Sequence, residues 1–358
     1  MMTRQVKVGN IYIGGGAPVS IQSMTNTDTR DVFATLKQID ALQEAGCQIV
    51  RLAIPDKEAA AAFGVIKKSC MLPLVADIHF SSDLALMVMD GGADKVRINP
   101  GNIGSAEKVE AVLSKAKACG IPIRIGVNSG SVEDRLLEKY GGVTSDALVE
   151  SAVDAIKYAE SFGFEDLVVS IKSSDIRMNY DAYKKVSQLT NVPLHVGLTE
   201  AGIGEDARRK SALGIGSLLL AGIGDTIRVS LTGDPVQEVI LAKKILSDIG
   251  MRKSGIDFVS CPTCGRTQVD LPHIAAEVKT KLEPYSEKLE RIGKSMTVAV
   301  MGCPVNGPGE ARHADLGVAC GKGVGLIIKK GEVICKVNEE DICRTLILEL
   351  DKMIEAGV

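Results

Sequence analysis

The chain has 358 residues, 45% hydrophobic and 24% charged, which is the make-up of a globular protein with room for two domains or for one large barrel plus an appendage. Forty-two Lys and Arg against forty-five Asp and Glu leave a net charge of −3, and aromatic residues reach only 3% with no Trp, so neither a basic field nor stacking platforms point to nucleic acid. Residues 1–13 lack the apolar run of a secretory signal, and the most apolar stretch, 213–224, falls far short of the ~20 residues that span a bilayer. A soluble, cytoplasmic protein with no membrane partner is expected.

Eight short β-branched runs recur at residues 19–25, 49–54, 74–78, 95–99, 121–127, 167–172, 194–198 and 226–231. Segments of helical period separate them, such as Val32, Leu36, Ile39 and Leu42 ahead of a stop at Gly46. The longest gap, between the fifth and sixth runs, holds two helix patterns that open near Ser131 and Ser145. Strands alternating with helices require a parallel sheet, and eight such units predict an α/β fold, a (β/α)8 TIM-type barrel over residues 1–250. A doubly wound sheet of eight strands is the alternative. Gly14 to Gly16 precede a strand instead of following one, and no Walker-type lysine follows them or the Gly214 and Gly216 pair. A nucleotide cofactor is therefore unsupported, and the second pair is read as allowing close helix packing.

The ends of the runs carry the chemistry. Arg51 ends the second, Asp77 and His79 the third, Arg97 and Asn99 the fourth, Arg124 and Asn128 the fifth, and Lys172 the sixth. Glu200 follows the seventh, and Arg228 with Ser230 closes the eighth. Counting in twos puts Arg97 with Asn99, Arg124 with Asn128, and Arg228 with Ser230 on common faces, which can all point into a barrel mouth. A lone Arg in a strand is usually snorkelling or ion-paired. Five cations at the ends of five strands would repel one another unless an anion entered, and Arg forks suit phosphate oxygens. The predicted ligand is anionic and phosphorylated. His79 and His195 are read equally as site groups or as hydrogen-bonded core histidines.

Composition shifts after Gly250. A polar stretch at 251–255 leads to Cys261-Pro-Thr-Cys264, a helix pattern at 271–283, and a strand at 297–301 running into a Pro- and Gly-rich loop around Cys303. Strand-like runs at 325–330 and 332–337 and a helix at 339–354 complete a small α+β domain over residues 257–358. Nine cysteines in a chain of this length are not a disulfide framework. Cys47, Cys70 and Cys119 are read as small buried hydrophobes, as are Cys335 and Cys343. Cys261 and Cys264 place two thiolates within reach of one soft metal, with Cys303 as a third. Two readings stay open on spacing: zinc held by these three with Cys320 or His313, or an iron–sulfur cluster on three thiolates and a weaker fourth ligand.

Four motifs taken together are similar to those of the 4-hydroxy-3-methylbut-2-en-1-yl diphosphate synthases, over nearly the whole chain and in the compact two-domain form. They are Gln22-Ser-Met-Thr-Asn-Thr-Asp28, Val196-Gly-Leu-Thr-Glu200-Ala-Gly, Cys261-Pro-Thr-Cys264-Gly-Arg and Met301-Gly-Cys303-Pro-Val-Asn-Gly-Pro-Gly-Glu310-Ala. The resemblance implies a 4Fe–4S cluster on Cys261, Cys264, Cys303 and Glu310, with Cys320 matching no ligand. It implies reductive ring opening of 2-C-methyl-D-erythritol 2,4-cyclodiphosphate on the methylerythritol phosphate route to isoprenoids, with electrons arriving singly from flavodoxin or ferredoxin. Arg51, Arg97, Asn99, Arg124, Asn128, Lys172, Arg228 and Ser230 would hold the diphosphate. Glu200 would pass a proton to the departing hydroxyl, its pKa raised in a closed cavity, while Asp77 and His79 orient substrate or relay protons. A phosphate-binding barrel lyase with a zinc-stabilised C-terminal lid is the competing reading. A head-to-tail homodimer is also expected: the helix at 235–249, ~22 Å long, ends at the far face of the barrel. The connector at 250–258 spans at most ~30 Å, barely enough to bring the second domain back over its own mouth. The resemblance points the same way.

Overall fold

The computed structural model describes residues 2–79, 81–99, 105–252 and 255–357. It separates into two units, Met1–Met251 and Arg252–Val358.

In the first unit, each β-branched run becomes a parallel strand: β3 (Ser20–Met24), β4 (Ile49–Ala53), β5 (Leu74–Asp77), β6 (Lys95–Ile98), β7 (Ile123–Asn128), β8 (Leu167–Lys172), β9 (His195–Val196) and β10 (Thr226–Ile227). Each pairs with its neighbour in sequence, β10 pairs with β3, and a parallel bridge from Val169 to Leu194 joins β8 to β9. The ring closes as a barrel. Alternation sets its two faces. Ile21, Val96, Ile125, Val169, Val196 and Ile227 turn outward into one core shared with the helices. Their neighbours, mostly polar or charged, turn inward. Asp31, Asp56, Asp175 and Asp234 cap the helices Val32–Glu44, Lys57–Ser69, Ile176–Leu189 and Pro235–Asp248 by accepting a backbone N–H. Such caps each contribute about 1 kcal/mol.

Ahead of the first predicted run, residues 6–13 form an antiparallel hairpin, β1 (Val6–Val8) and β2 (Ile11–Ile13). Val6, Val8 and Ile13 pack on the inward-facing Ile49, Val75 and Val168, giving the barrel an apolar floor. The chemistry is thereby confined to the other end, where the strands finish. β9 and β10 are shorter than expected, and the chains approach closely just beyond them at Gly197, where a Cβ would lie 2.5 Å from the Arg228 carbonyl oxygen. Of the helical glycine pair, Gly214 does allow close packing, since a Cβ there would meet Leu198 at 2.4 Å, whereas one at Gly216 would meet nothing within 4 Å. The helix expected near Ser131 begins at Asp134, after a single 3-10 turn.

The second unit is a five-stranded sheet in sequential order: β11 (Gly255–Ser260), β12 (Ser295–Met301), β13 (Leu316–Gly321), β14 (Val324–Lys329) and β15 (Glu332–Asn338). The first three strands run parallel and the last two pairings are antiparallel. Helices Leu271–Arg291 and Ile342–Glu355 cover one face through Val278, Leu282, Leu346 and Leu350. Small residues, Ala299, Ala311, Ala314 and Ala319, pack on the other. Three expectations are corrected here. β11 occupies part of what was taken as connector, and β13 was missed. The helix expected to stop at 283 runs to Arg291 through Pro284, carried by Leu282 and Leu289 on its buried side. Cys119, expected to be buried, is exposed at the last turn of Ala106–Cys119, while Cys70 and Cys335 are half-buried.

Candidate active site and metal centre

Strand register sets Asp77, Arg97 and Arg124 side by side across β5, β6 and β7. The buried Asp77 carboxylate is their hub: Arg97 Nη1 donates to Oδ1 at 3.3 Å, His79 Nε2 lies 3.1 Å from Oδ2, and Arg51 Nε lies 3.9 Å from Oδ2. Arg51 also directs Nε and Nη2 at the Met24 sulfur, at 3.0 and 2.8 Å. Two glycines make room for the cations. A Cβ at Gly126 would fall 2.5 Å from Arg97 Nε, and one at Gly197 would fall 3.1 Å from Lys172 Nζ. Asn128, with its amide oriented to satisfy both ends, accepts from Arg97 Nη2 at 3.2 Å and donates to the Val127 carbonyl. Arg228 is braced by Glu238, a buried carboxylate on Pro235–Asp248, with Nε and Nη2 each 3.3 Å from its oxygens. Glu238 also accepts from Ser23 Oγ and from the Leu231 N–H.

The electrostatics follow from this crowding. Burial alone would raise Asp77, but the charge of Arg51, the hydrogen bond to His79 and the fields of Arg97 and Arg124 together hold its carboxyl well below the usual range. Burial, reinforced by Arg228 and Arg97 and only partly offset by Asp77, lowers Arg51 to about 10. Burial and the neighbouring cations likewise push Arg124 and Lys172 down strongly. Like charges gathered out of water are costly unless a counter-charge arrives, so this end of the barrel is built to take an anion.

Around this hub stand the remaining expected residues. His79 is half-exposed, Asn99 is buried just past β6, and Ser230 is half-buried beyond β10. Glu200 is exposed on the loop after β9, with φ at 54°. A non-glycine residue in the left-handed region carries backbone strain of about 1–2 kcal/mol, a feature common at functional sites.

In the second unit, three thiols meet backbone and side-chain donors. The Gly302 N–H donates to Cys261 Sγ at 3.2 Å. The Arg266 N–H, aided by the Thr267 hydroxyl, lowers the pKa of Cys264. Cys303 is lowered by the N–H groups of Asn306, Val305 and Gly307, at the entry to the short helix Gly307–Ala311. Donors aimed at sulfur favour thiolates, the form that binds soft metals. Cys320 is the opposite case, sunk in the apolar core with its thiol pushed up to about 12 by burial. It is a poor ligand, which weakens the zinc set that includes it. Glu310 and His313 are both exposed. Among the described residues no three His, Cys, Asp or Glu side chains already stand in ligating arrangement. The donor chemistry of Cys261, Cys264 and Cys303 nonetheless fits an iron–sulfur cluster.

Residues 3–243 match the family model described as the GcpE TIM-barrel domain, and residues 257–352 match the GcpE protein C-terminal domain. The chain belongs to the GcpE family. A Clostridium perfringens protein named 4-hydroxy-3-methylbut-2-en-1-yl diphosphate synthase (flavodoxin) is 58% identical over 353 residues, covering 99% of this chain and 98% of its own. A Geobacter sulfurreducens protein of the same name is 51% identical over 352 residues, 98% of each chain. Among solved structures, 7,8-dihydropteroate synthase from Vibrio fischeri overlays with a TM-score of 0.50 at 13% identity, across 68% of this chain and 98% of its own, a likeness of barrel fold alone.

Sequence reasoning missed several buried polar residues in and beneath this GcpE-family site. Glu238 sits in an apolar helix pattern, where one acid reads as an exposed-face residue. Lys95 opens β6 two residues before Arg97 and so shares its inward face, but its position at the strand start concealed it. Met24 and Gln22 lie inside a quoted motif without having been assigned a part.

Proposed function

We propose that this chain catalyses the reductive ring opening and dehydration of 2-C-methyl-D-erythritol 2,4-cyclodiphosphate to 4-hydroxy-3-methylbut-2-enyl diphosphate. The observation that carries this reading is the surplus of buried cations over carboxylates at the barrel mouth, in a chain whose second unit presents three thiols to N–H donors. The relatives named for this synthase, with flavodoxin in their names, support it. One C–O bond between the ring carbon and the diphosphate breaks, the neighbouring hydroxyl leaves as water, and a C=C bond forms. The change takes up two electrons and, because the opened diphosphate bears one more negative charge, one net proton.

Arg51, Arg97, Arg124, Lys172 and Arg228 bind the diphosphate, with Asn99, Asn128 and Ser230 hydrogen-bonding around it. Asp77 holds Arg97 and Arg51 in place and Glu238 holds Arg228, so the forks are aligned before substrate arrives. His79, tied to Asp77, orients the substrate or relays a proton. Glu200 delivers the proton that lets the hydroxyl depart as water. Cys261, Cys264, Cys303 and Glu310 would hold a 4Fe–4S cluster, which when bound would supply the electrons one at a time, received from flavodoxin.

No helix among the described residues is long and apolar enough to cross a membrane, and the reading places the enzyme in the cytoplasm, where its carrier is found. The enzyme works as a head-to-tail homodimer. Mixing Glu200→Ala chains with Cys303→Ala chains then restores part of the activity, since one site in each mixed dimer is intact; no recovery on subunit exchange contradicts the dimer. The test of the function itself is anaerobic turnover with reduced flavodoxin, with product identified by mass and iron and acid-labile sulfide measured on the same sample. Zinc in place of iron, with no product, would favour the lyase reading.

A further inference from the structure

Beneath the cations of the mouth, the barrel holds a second polar layer that the proposed chemistry does not use. Lys95 shares the inward face of β6 with Arg97. Gln22 on β3 and His195 on β9 also turn inward, since their neighbours Ile21 and Val196 pack outward against the helices. Relative exposure is 0% for Lys95 and His195 and 1% for Gln22 and Arg124. Among the described residues, no hydrogen-bond partner meets Lys95 Nζ, Nε and Nη1 of Arg124, either ring nitrogen of His195, or either amide atom of Gln22. Thr226, which registers with His195, has a hydroxyl in the same condition. Below lies the hydrocarbon floor of Ile49, Val75 and Val168.

These groups sense one another. Burial first, and then the charge of Arg124, disfavours the protonated form of both Lys95 and His195, and Lys95 adds to the effect on His195. Arg124 cannot shed its proton. The Asp77 carboxylate is already engaged by Arg97, His79 and Arg51. What the layer lacks is therefore negative charge. Its unmet atoms are chiefly donors, whereas a water molecule needs acceptors for its own hydrogens. Layers inside an eight-stranded barrel are filled by side chains, so only a monatomic species could share the interior with them.

We propose that the barrel interior carries a buried halide site, in which Lys95, Arg124 and His195 hold a chloride ion as a permanent counter-charge beneath the substrate seat. The ion keeps Lys95 protonated and steadies the lower edge of the Arg124 guanidinium. The site is independent of which diphosphate binds above it.

Crystals of the holoenzyme grown with bromide replacing chloride test this directly. An anomalous peak in contact with Lys95 Nζ and Arg124, below the level of Asp77, is expected. A peak only among the mouth cations, or bromide-insensitive water density in the chamber, overturns the proposal. In solution, replacing gluconate by bromide at constant ionic strength raises the unfolding temperature of the wild type, because a ligand bound only by the folded state stabilises it. Lys95→Met abolishes that halide-dependent shift while keeping the shift produced by the cyclic diphosphate. A halide shift unchanged in Lys95→Met overturns the assignment, and if the variant does not fold, the bromide map of the unaltered chain decides.

Discussion

The barrel mouth and the thiol loops of the second unit prepare for charged guests in opposite ways. The barrel gathers full charges of one sign, Arg51, Arg97, Arg124, Lys172 and Arg228, against the two carboxylates Asp77 and Glu238 that brace them. Its affinity for an anion is stored as repulsion in the folded protein. The second unit brings no such array to its cysteines. There, chiefly backbone N–H dipoles turn toward Cys261, Cys264 and Cys303, lowering the cost of a thiolate, with a single cation, Arg266, adding to the effect at Cys264 and Cys303. Charges are strong, distant in reach and destabilising when unfilled, while dipoles are weaker, local and nearly free of that penalty. Loss of the guest should thus cost the barrel stability and cost the second unit mainly its chemistry.

The largest effect should come from the thiol side. Cys264→Ser replaces a thiolate by a poor ligand for iron, so cluster iron and reductive turnover both fall to background. Heat unfolding of the barrel, whose core is separate, stays where it was. Full iron content in this variant would break the comparison at its root. Next is Glu200→Gln, which keeps size and hydrogen bonding but removes the transferable proton. Turnover number drops by roughly a hundredfold with KM little changed. A raised KM with intact turnover would make Glu200 a binding residue instead.

Smaller effects probe the stored repulsion. Asp77→Asn removes the hub, and the cations it leaves unpaired lower the unfolding free energy by about 3 kcal/mol. Because the folded carboxyl is held below its unfolded value, its stabilisation is complete above about pH 4 and is lost as pH falls further. Urea titrations across that range should show a shallower acid slope in Asp77→Asn than in the wild type, and equal slopes would place the charge balance elsewhere. Gly126→Ala is the mildest change. Its methyl group would meet Arg97 Nε at 2.5 Å, pushing the guanidinium off its seat. The expected result is KM for the cyclic diphosphate raised about tenfold, one charge-assisted contact's worth, with turnover largely kept.

Legibility in the sequence differed between the two regions for physical reasons. Strand-end cations were visible because the two-residue period of a strand maps spacing directly onto a face, and the barrel strands are buried on both sides. Glu238 and Lys95 were not, since a single charge in an apolar helix or at a strand's first position has commoner explanations. The hairpin of Val6–Val8 and Ile11–Ile13 is too short to show a period. In the second unit, β11 is an edge strand with few buried residues, and β13 contains Gly317 and Gly321 and is buried on both faces, so neither presents a clean alternation. The cysteine spacing was plain, yet the N–H donors that favour the thiolates come from backbone geometry, which residue types alone do not reveal.

The proposed function requires the mouth of the barrel and a cluster on the cysteines of the second unit to serve one substrate. The most direct measurement is the electron paramagnetic resonance spectrum of the anaerobic, reduced protein, recorded with and without the cyclic diphosphate, in the wild type and in Arg97→Met. The expected signal changes on adding substrate to the wild type and needs far more substrate to change in Arg97→Met. A 4Fe–4S signal indifferent to saturating substrate would contradict it.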